Sequence, residues 1–367
     1  MKFRCERDVL VEALGTAGRA VASRGGALPV LSGVRVEIHG NDMRLTGSDL
    51  DLTIQVTTTV AGSGDGVTVV PSRLASDIVR ALEAGAVDVE VDDDEARISS
   101  GRSQFALRTL PADDFPRLVD PPEQAVTLDA KDFADALRQV VRAASSDDAR
   151  PILTGVLMAA EETGLRLVAT DSYRLAVRDL PGTTVLGEGQ KVLVPSKALG
   201  ELARVLGSSG DNGQVTLRLG ERDATFEVGS VRLTTRLIEG EFPNYRQLIP
   251  SSYPNRLTVG REPLLDAVRR VKLMAREATP LRLVMRPDGL ELLAVTQDVG
   301  QAHEELDAKY EGAELTVAFN PEFLIDGIEA TTGDEVSLET TDALKPATVR
   351  SIEGADYLYL LMPVRVS

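Results

Sequence analysis

The residues whose spacing suggests chemistry most directly are basic pairs seven positions apart. The four pairs are Arg73 and Arg80, Lys131 and Arg138, Lys197 and Arg204, and Arg269 and Arg276. Seven residues span two helical turns, so each pair lies on one face of a helix, with Arg142 and Lys272 close to two of these faces. A single such pair is most often an ordinary solvated helix face. Four matching pairs favour a weakly positive surface that attracts the phosphates of a duplex without holding them firmly.

Acidic and glycine-rich segments are the other candidates for chemistry. Carboxylates that could bind a metal or act as acid and base are Asp49 with Asp51, the run from Asp92 to Glu95, and Asp113 with Asp114. The chain has only two histidines and one cysteine, so these acids are interpreted as solvated loops, and neither a metal nor a cofactor is predicted. Gly62 to Gly66 lacks the lysine of a phosphate-binding loop and predicts a hairpin. An enzyme that uses clefts between domains remains an alternative; it would need one repeat to carry a catalytic set that the others lack.

Composition decides between broad classes of protein. The 367 residues carry a net charge of −17, with 43% hydrophobic and 26% charged residues, and no apolar stretch is long enough to cross a membrane. Charged residues interrupt the N-terminal region where a secretory signal needs an apolar run, so a cytoplasmic location is expected. The predicted helices are mildly positive as a group, and the strands and loops carry the negative charge. The negative total therefore does not exclude nucleic acid as a partner.

A repeat of about 125 residues organises the chain. Segments starting at Phe3, Val126 and Leu257 each begin with a short strand and continue into an amphipathic helix. Midway through each repeat a second strand meets a proline at the first turn of a second helix, with a cap candidate beside it: Pro71 with Ser72, Pro195 with Ser196, and Pro321 with Asn320. The prolines are 124 and 126 residues apart, so three units account for the whole chain.

Each half of a repeat predicts a strand, a helix and three further strands, which makes the fold class α+β. The helices should turn Leu74, Ile78 and Leu82, or Phe133, Leu137 and Val140, into the core. Proline-rich turns at 120–124 and 251–255 place the domain limits, giving domains 1–121, 122–252 and 253–367. Units of this size are whole domains, and three similar domains in a row suggest a segment of a ring.

Several motifs give the chain a resemblance to a known family. They are LPVLSG from Leu28, RPILTG from Arg150, ATDSYRLAV from Ala169, GEFPNYRQLIP from Gly240, AFNPEFL from Ala318, and the ending YLLMPVRVS from Tyr359. The chain resembles the bacterial replicative sliding clamp, the β subunit of DNA polymerase III, over its full length. The resemblance implies the DNA clamp (processivity) fold and a head-to-tail homodimer that encircles duplex DNA independently of sequence. It also implies no catalytic site, and as partners the replicative polymerase α subunit, the clamp loader and clamp-motif proteins of repair.

The same resemblance implies three sets of site residues. A pocket for short linear segments of partners would contain Leu153, Thr170, Ser172, Tyr173, Arg174, Leu175, Pro243, Gln247, Leu248, Asn320, Phe323, Leu344, Pro346, Met362, Pro363, Val364 and Arg365. DNA contacts would come from Arg24, Arg73, Arg80, Arg138, Arg142, Arg150, Lys197 and Arg204. The subunit joint would place Phe105 and Leu107 against Leu273 and Met274 of another copy. In the pocket, Leu153, Leu175, Leu248 and Met362 are expected to form an apolar hole for a leucine or aromatic anchor.

Three pocket positions depart from the family pattern. Ser172 and Tyr173 stand where many relatives have glycine and histidine, and Gln247 stands where some have arginine. A different preference for partner peptides is expected. These departures also motivate an alternative function, that of a duplicated clamp kept for a special role such as tolerance of a clamp-directed inhibitor.

Overall fold

The computed structural model describes residues 1–22, 28–92, 94–118, 120–208, 213–276, 279–354 and 356–365. Within these residues the chain forms twenty-six strands and six α-helices. The first repeat contains β1 (Lys2–Glu6), α1 (Arg7–Ala17), β2 (Gly33–His39), β3 (Asp42–Ser48), β4 (Leu52–Thr59), β5 (Ala61–Gly64), β6 (Gly66–Pro71), α2 (Ser72–Ala81), β7 (Ala86–Asp92), β8 (Glu95–Ser100) and β9 (Ser103–Arg108).

The second and third repeats follow the same order. The second contains β10 (Val126–Asp129), α3 (Ala130–Val140), β11 (Gly155–Glu161), β12 (Gly164–Thr170), β13 (Arg174–Pro181), β14 (Lys191–Pro195), α4 (Ser196–Ser208), β15 (Gln214–Leu219), β16 (Asp223–Val228) and β17 (Val231–Arg236). The third contains β18 (Asn255–Gly260), α5 (Arg261–Lys272), β19 (Leu281–Arg286), β20 (Gly289–Thr296), β21 (Gly300–Leu306), β22 (Ala308–Glu311), β23 (Leu315–Phe319), α6 (Pro321–Ala330), β24 (Glu335–Thr340), β25 (Ala347–Ser351) and β26 (Tyr357–Leu361). The predicted order of one strand, one helix and three strands is confirmed in all six halves, with β5 and β22 as short additions.

Two compact units contain these elements. The first unit comprises residues 1–131 and 201–237, and the second comprises 132–200 and 238–367. In the first unit the strands form a five-stranded sheet, β5-β1-β7-β8-β9, and an eight-stranded sheet, β10-β15-β16-β17-β4-β3-β2-β6. In the second they form a nine-stranded sheet, β14-β11-β12-β13-β26-β25-β24-β18-β22, and a four-stranded sheet, β21-β20-β19-β23. The strand pairs of the described residues are antiparallel, including β4 with β17 and β13 with β26. Consecutive repeats are therefore joined by continuous sheets, and the three-domain division stays a prediction.

The core lies between the sheets and the buried helix faces. In the first unit α1 packs against α2, and in the second α5 packs against α6. Phe133, Leu137 and Val140 on α3 are fully buried, which confirms the predicted inner face of that helix. Each such side chain contributes roughly 1.5 to 3 kcal/mol by leaving water.

The prediction for the inner face of α2 is wrong in part. Leu74 is 51% exposed and Ile78 is half-buried, whereas Leu82 is buried as expected. The helix buries Ser72, Ala75 and Val79 instead, which lie along one stripe at spacings of three and four. The apolar stripe of α2 is therefore wider than its buried stripe, and Leu74 is left on the surface.

Only one of the three helix caps predicted beside prolines is confirmed, and the prediction for Ser72 is wrong. Ser72 and Ser196 are the first residues of α2 and α4, and α2 is preceded by Pro71 without a side-chain cap. Asn320 is confirmed as the N-cap of α6, since its side chain accepts hydrogen bonds from the backbone N–H groups of Glu322 and Phe323. Pro321 sits at the first turn of α6, where its missing N–H is not needed.

Candidate functional site

The turn between β12 and β13 is the centre of the predicted pocket. The Asp171 carboxylate accepts backbone hydrogen bonds from Tyr173 at 2.8 Å and from Arg174 at 3.0 Å. Ser172 has a φ of +82°, a left-handed conformation that side-chain-bearing residues seldom adopt. This tight turn leaves the Tyr173 side chain 61% exposed.

The C-terminal segment is docked beside this turn. Strand β26 pairs with β13, with Arg174 opposite Leu361. Beyond the strand, the N–H of Met362 donates to the Tyr173 carbonyl at 2.9 Å, and the N–H of Val364 donates to the Ala318 carbonyl at 2.7 Å. Main-chain hydrogen bonds thus hold an otherwise apolar tail in place, with Met362 37% and Val364 38% exposed.

The start of α6 supplies an aromatic wall. The ring of Phe323 stacks with that of Tyr173 at a centroid distance of 6.4 Å. The Arg174 guanidinium carbon lies 4.3 Å from the centroid of the same ring, a cation–π contact. On the other side of α6 the Tyr359 hydroxyl donates to the Phe323 carbonyl at 2.8 Å. The side chains of Tyr173 and Arg174 therefore form one surface with Phe323, in the first turn of α6.

A buried apolar cluster lies on the other face of the same sheet, because Leu175 and Leu360 alternate with Arg174 and Leu361 along their strands. Leu175 and Leu360 pack with Leu157, Val168, Val177, Leu193 and Tyr245, and the half-buried Phe242 and Ile249 pack against them. Leu175 is only 1% exposed, so it offers no surface of its own. Leu153 is half-buried, and Leu248 and Leu344 are 47% and 64% exposed. Exposed apolar side chains in a well-packed part of the fold are suited to bind the apolar anchor residues of a peptide.

All seventeen residues predicted for the pocket lie in the second unit. The exposed apolar members are Tyr173, Leu248, Leu344, Met362 and Val364. Thr170 and Leu175 are buried. The polar or cyclic members Ser172, Pro243, Gln247 and Arg365 are exposed, and Asn320, Phe323, Arg174, Pro346 and Pro363 are partly buried.

Residue-by-residue reading of the sequence missed two carboxylates that hold this site. Asp171 is 8% exposed and accepts from Arg174 Nε at 3.0 Å in addition to the turn N–H groups. Asp326 on α6 accepts a short hydrogen bond from Arg174 Nη1. Asp171 had a local signal, since aspartate is favoured in turns, where its side chain accepts a hydrogen bond from the backbone two residues on. Asp326 had none, because it is 152 positions away from its partner.

The basic residues predicted to face DNA are exposed on their helices but are mostly paired with carboxylates one turn away. On α2, Asp77 lies 4.0 Å from Arg73 and 3.9 Å from Arg80. On α3, Arg138 pairs with Asp135, and on α4, Arg204 pairs with Glu201 at 3.0 Å. Lys197 is exposed on α4. Exposed ion pairs of this kind are worth little, so phosphates can exchange with the carboxylates, and the positive surface is weaker than the count of arginines suggests.

The remaining predicted DNA residues differ in their surroundings. Arg142 pairs with Glu329 and lies 3.5 Å from Asp326, and Glu329 raises the pKa of the Arg142 guanidinium through a hydrogen bond. Arg150 donates to Asp147 at 2.9 Å and to the Ser172 hydroxyl at 3.2 Å, which places it next to the pocket turn. Arg24 lies outside the described residues.

The four residues predicted for the subunit joint are unequally exposed. Leu273, just after α5, is 81% exposed, and Phe105 on β9 is 39% exposed. Met274 is half-buried. Leu107 is only 4% exposed and packs inside the first unit. Phe105, Leu273 and Met274 are therefore the members of this set with accessible surface, whereas Leu107 is covered by its own chain.

A groove of about 1120 Å³ lies in the first unit, between one face of the eight-stranded sheet and the segment 112–122. Its charged lining residues are Arg35, Arg44, Arg117, Arg222, Arg232, Arg236, Glu37, Asp51, Asp113, Asp120, Glu221 and Asp223. Neither histidine nor cysteine lines it, and the described residues contain no group of three acidic, histidine or cysteine side chains that could hold a metal ion. Over the same residues, no helix is both long and apolar enough to cross a membrane.

Comparison with known proteins gives a consistent result over the whole chain. Family models described as the N-terminal, central and C-terminal domains of the DNA polymerase III beta subunit match residues 1–119, 127–244 and 246–365. The Beta sliding clamps of Streptomyces coelicolor and Proteus mirabilis are 38% and 33% identical, with 100% of both chains covered. Solved sliding clamps from Bartonella birtlesii and Pseudomonas aeruginosa, each bound to griselimycin, match with TM-scores of 0.93 and 0.91 at 32% and 29% identity, again over 100% of both chains.

Proposed function

This chain belongs to the DNA polymerase III β subunit family, the sliding clamps of DNA replication, and on that premise we propose that two copies close head to tail around duplex DNA. The family is one of processivity factors, which have no catalytic site of their own, and DNA and polymerases are its general partners. The observation that carries the proposal is the strand–helix–three-strand unit, present in six copies along a chain that matches clamps over its full length.

Two open sheet edges support closure of the ring. Strand β9 ends the five-stranded sheet and β21 ends the four-stranded sheet, so each has one edge without a partner strand among the described residues. Exposed apolar residues accompany both edges: Phe105 lies on β9, and Leu273 follows α5, which packs against β21. An uncovered strand edge with apolar neighbours pairs readily with another chain. A contact between two different surfaces closes into a ring only when the rotation per subunit is right.

The helices and the loops near them provide the surface for DNA. We assign the contacts to Arg24, Arg73, Arg80, Arg138, Arg142, Arg150, Lys197 and Arg204. Carboxylates one turn away accompany several of these arginines, for example Asp77 between Arg73 and Arg80. Phosphates that must displace a carboxylate are held weakly, which suits a protein that moves along DNA.

The pocket of the second unit provides the surface for partners. We propose that Tyr173, Leu248, Leu344 and Met362 receive an apolar anchor from a short linear segment of the replicative polymerase α subunit, the clamp loader or a repair protein. The adaptable thioether of Met362 suits a site with several partners. Arg365 and Gln247 are exposed at the same site and offer hydrogen bonds to the peptide.

The topological part of the proposal is tested on circular DNA. The protein is loaded onto a nicked circle by a clamp loader and the circle is then cut once. We expect the protein to remain on the circle and to leave the linear form; retention on linear DNA with free ends would overturn encirclement. A Leu273→Asp variant should be monomeric by native mass spectrometry and should not be retained on the circle. Ile352→Asp, at a position 47% exposed, is the matched control and should behave like the wild type.

The second candidate function is that of a specialised clamp, and the departures at Ser172, Tyr173 and Gln247 favour it. Griselimycin is bound in the clamp structures from P. aeruginosa and B. birtlesii, which makes it a suitable competitor. A fluorescent peptide from the polymerase α subunit is titrated with the protein in the presence and absence of griselimycin. Normal peptide affinity with lost griselimycin affinity supports the specialised clamp. Normal affinity for both supports the replicative role alone.

A further inference from the structure

Asp326 is placed between the pocket and a helix face that we assign to DNA. It lies on α6, three residues after Phe323, and its side chain is 27% exposed. One carboxylate oxygen accepts a short hydrogen bond from Arg174, which belongs to the pocket. The other oxygen lies 3.5 Å from Arg142 Nη1, which belongs to the proposed DNA surface. A single carboxylate therefore serves two arginines with different proposed roles.

Arg174 needs this carboxylate because it is nearly buried. Its side chain is 11% exposed, and its guanidinium is held by Asp171 on one side and by Asp326 on the other. The guanidinium lies over the ring of Phe323, with 4.3 Å between the guanidinium carbon and the ring centroid. The position of Arg174 therefore fixes the Phe323 ring, and through it the stacked ring of Tyr173.

Arg142 has other acceptors, so its hold on Asp326 is exchangeable. It also pairs with Glu329, which in turn accepts from Arg269 Nη2 at 2.8 Å. Burial opposes ionisation of Glu329, yet hydrogen bonds from Arg142 and Arg269 lower the pKa of its carboxyl below the usual range. The side chains of Arg142 and Arg269 are 52% and 49% exposed, so an anion in solution can reach both.

We propose that Asp326 is a positioning residue for the partner pocket and that it couples the affinity of the pocket to the occupancy of Arg142 by an anion. A phosphate that takes Arg142 removes a competing cation from Asp326, which then pairs with Arg174 alone. Arg174 is held more firmly over Phe323, and the aromatic wall is ordered before a peptide arrives. Peptide affinity rises when DNA is bound, and by linkage the peptide raises the affinity for DNA by the same factor.

The inference rests on the proposed partner pocket, and the test separates the two. The affinity of a fluorescent peptide from the polymerase α subunit is measured by anisotropy at low ionic strength, with and without a short linear duplex. Wild type should bind the peptide severalfold more tightly with the duplex present. Asp326→Asn should bind it about tenfold more weakly than wild type, a change worth about 1.4 kcal/mol, and should not respond to the duplex.

Two further variants keep the test decisive. Glu322→Gln is the matched control on the same helix, because Glu322 pairs with Lys272 at 2.5 Å and is 61% exposed; it should behave like the wild type. Arg142→Gln changes a half-exposed residue and should fold, bind the peptide at least as tightly as wild type, and lose the response to the duplex. A retained response in Arg142→Gln, or peptide affinity of Asp326→Asn within twofold of wild type, overturns the inference. Absence of peptide binding to the wild type refutes the pocket itself, and the inference with it.

Discussion

The turn between β3 and β4 in the first unit and the turn between β12 and β13 in the second have the same backbone. In the first, Asp49 accepts from the N–H groups of Asp51 and Leu52 at 3.1 and 2.8 Å; in the second, Asp171 accepts from the two corresponding residues. The residue after each aspartate is left-handed, with φ of +80° at Leu50 and +82° at Ser172. The next carbonyl accepts from a neighbouring strand end at 2.9 Å in both, from Arg236 and from Met362.

Apart from the shared aspartate, the side chains on these two turns differ. The positions of Tyr173 and Arg174 are occupied in the first turn by Asp51, which is 78% exposed, and by Leu52, which is buried. The first turn lines a groove of mixed charge, and the second presents an aromatic ring beside Phe323. Both turns thus have the same backbone hydrogen bonds, and two positions give the second turn an aromatic and a cationic side chain that the first turn lacks.

The largest expected difference between the turns comes from removing their aspartates. Asp171→Ala deletes the acceptor for two backbone N–H groups and leaves the nearly buried Arg174 with one carboxylate partner, Asp326, so we expect a loss of about 3 kcal/mol in unfolding free energy. Asp49→Ala removes the same pair of turn bonds from a turn whose fourth residue is Leu52 and not an arginine, and about 1 kcal/mol is expected. Urea titrations of both variants measure the difference. Equal losses would show that Arg174 adds nothing to the second turn.

A smaller difference is expected in partner binding. Tyr173→Ala removes an exposed ring that stacks on Phe323 and should weaken binding of a polymerase-derived peptide at least tenfold, or about 1.4 kcal/mol. Asp51→Ala, the equivalent change in the first turn, should alter peptide affinity less than twofold. Calorimetry of the two variants side by side checks this, with thermal midpoints recorded to exclude unfolding. Comparable losses would place the peptide site elsewhere.

The smallest expected effect concerns the left-handed residues. A leucine in this conformation destabilises the folded state by about 1 kcal/mol. Glycine removes this strain, but part of the gain is lost because glycine also raises the conformational entropy of the unfolded chain. Leu50→Gly should therefore stabilise the protein by about 0.5 kcal/mol. Asp298→Gly, at a φ of +63°, should change little, because aspartate tolerates this region. Leu118→Gly is the control, an exposed leucine whose φ is not positive, and should destabilise. Denaturation midpoints that fall for Leu50→Gly would contradict the strain argument.

The periodicity of the chain predicted the elements well but not every surface. Alternating strands and helical stripes are local properties, so the six halves and the buried face of α3 could be predicted from spacing alone. Leu74 could not, because its stripe on α2 is wider than the part that the first unit covers. Leu107 shows the reverse, since a residue expected at a subunit joint is buried by its own chain. Burial depends on what packs over a face, which spacing does not specify.

The candidate site shows the same division. The sequence by itself determined the repeat and, through family resemblance, supplied the seventeen positions predicted for the pocket. Only the tertiary structure decided that Asp326 serves both Arg174 and Arg142, and that Leu175, predicted for the pocket, is buried. Hydrogen bonds within a turn join neighbours in the chain and leave a local signal. Ion pairs between residues more than 150 positions apart exist only because β13, β26 and α6 are folded against one another, so no spacing rule contains them.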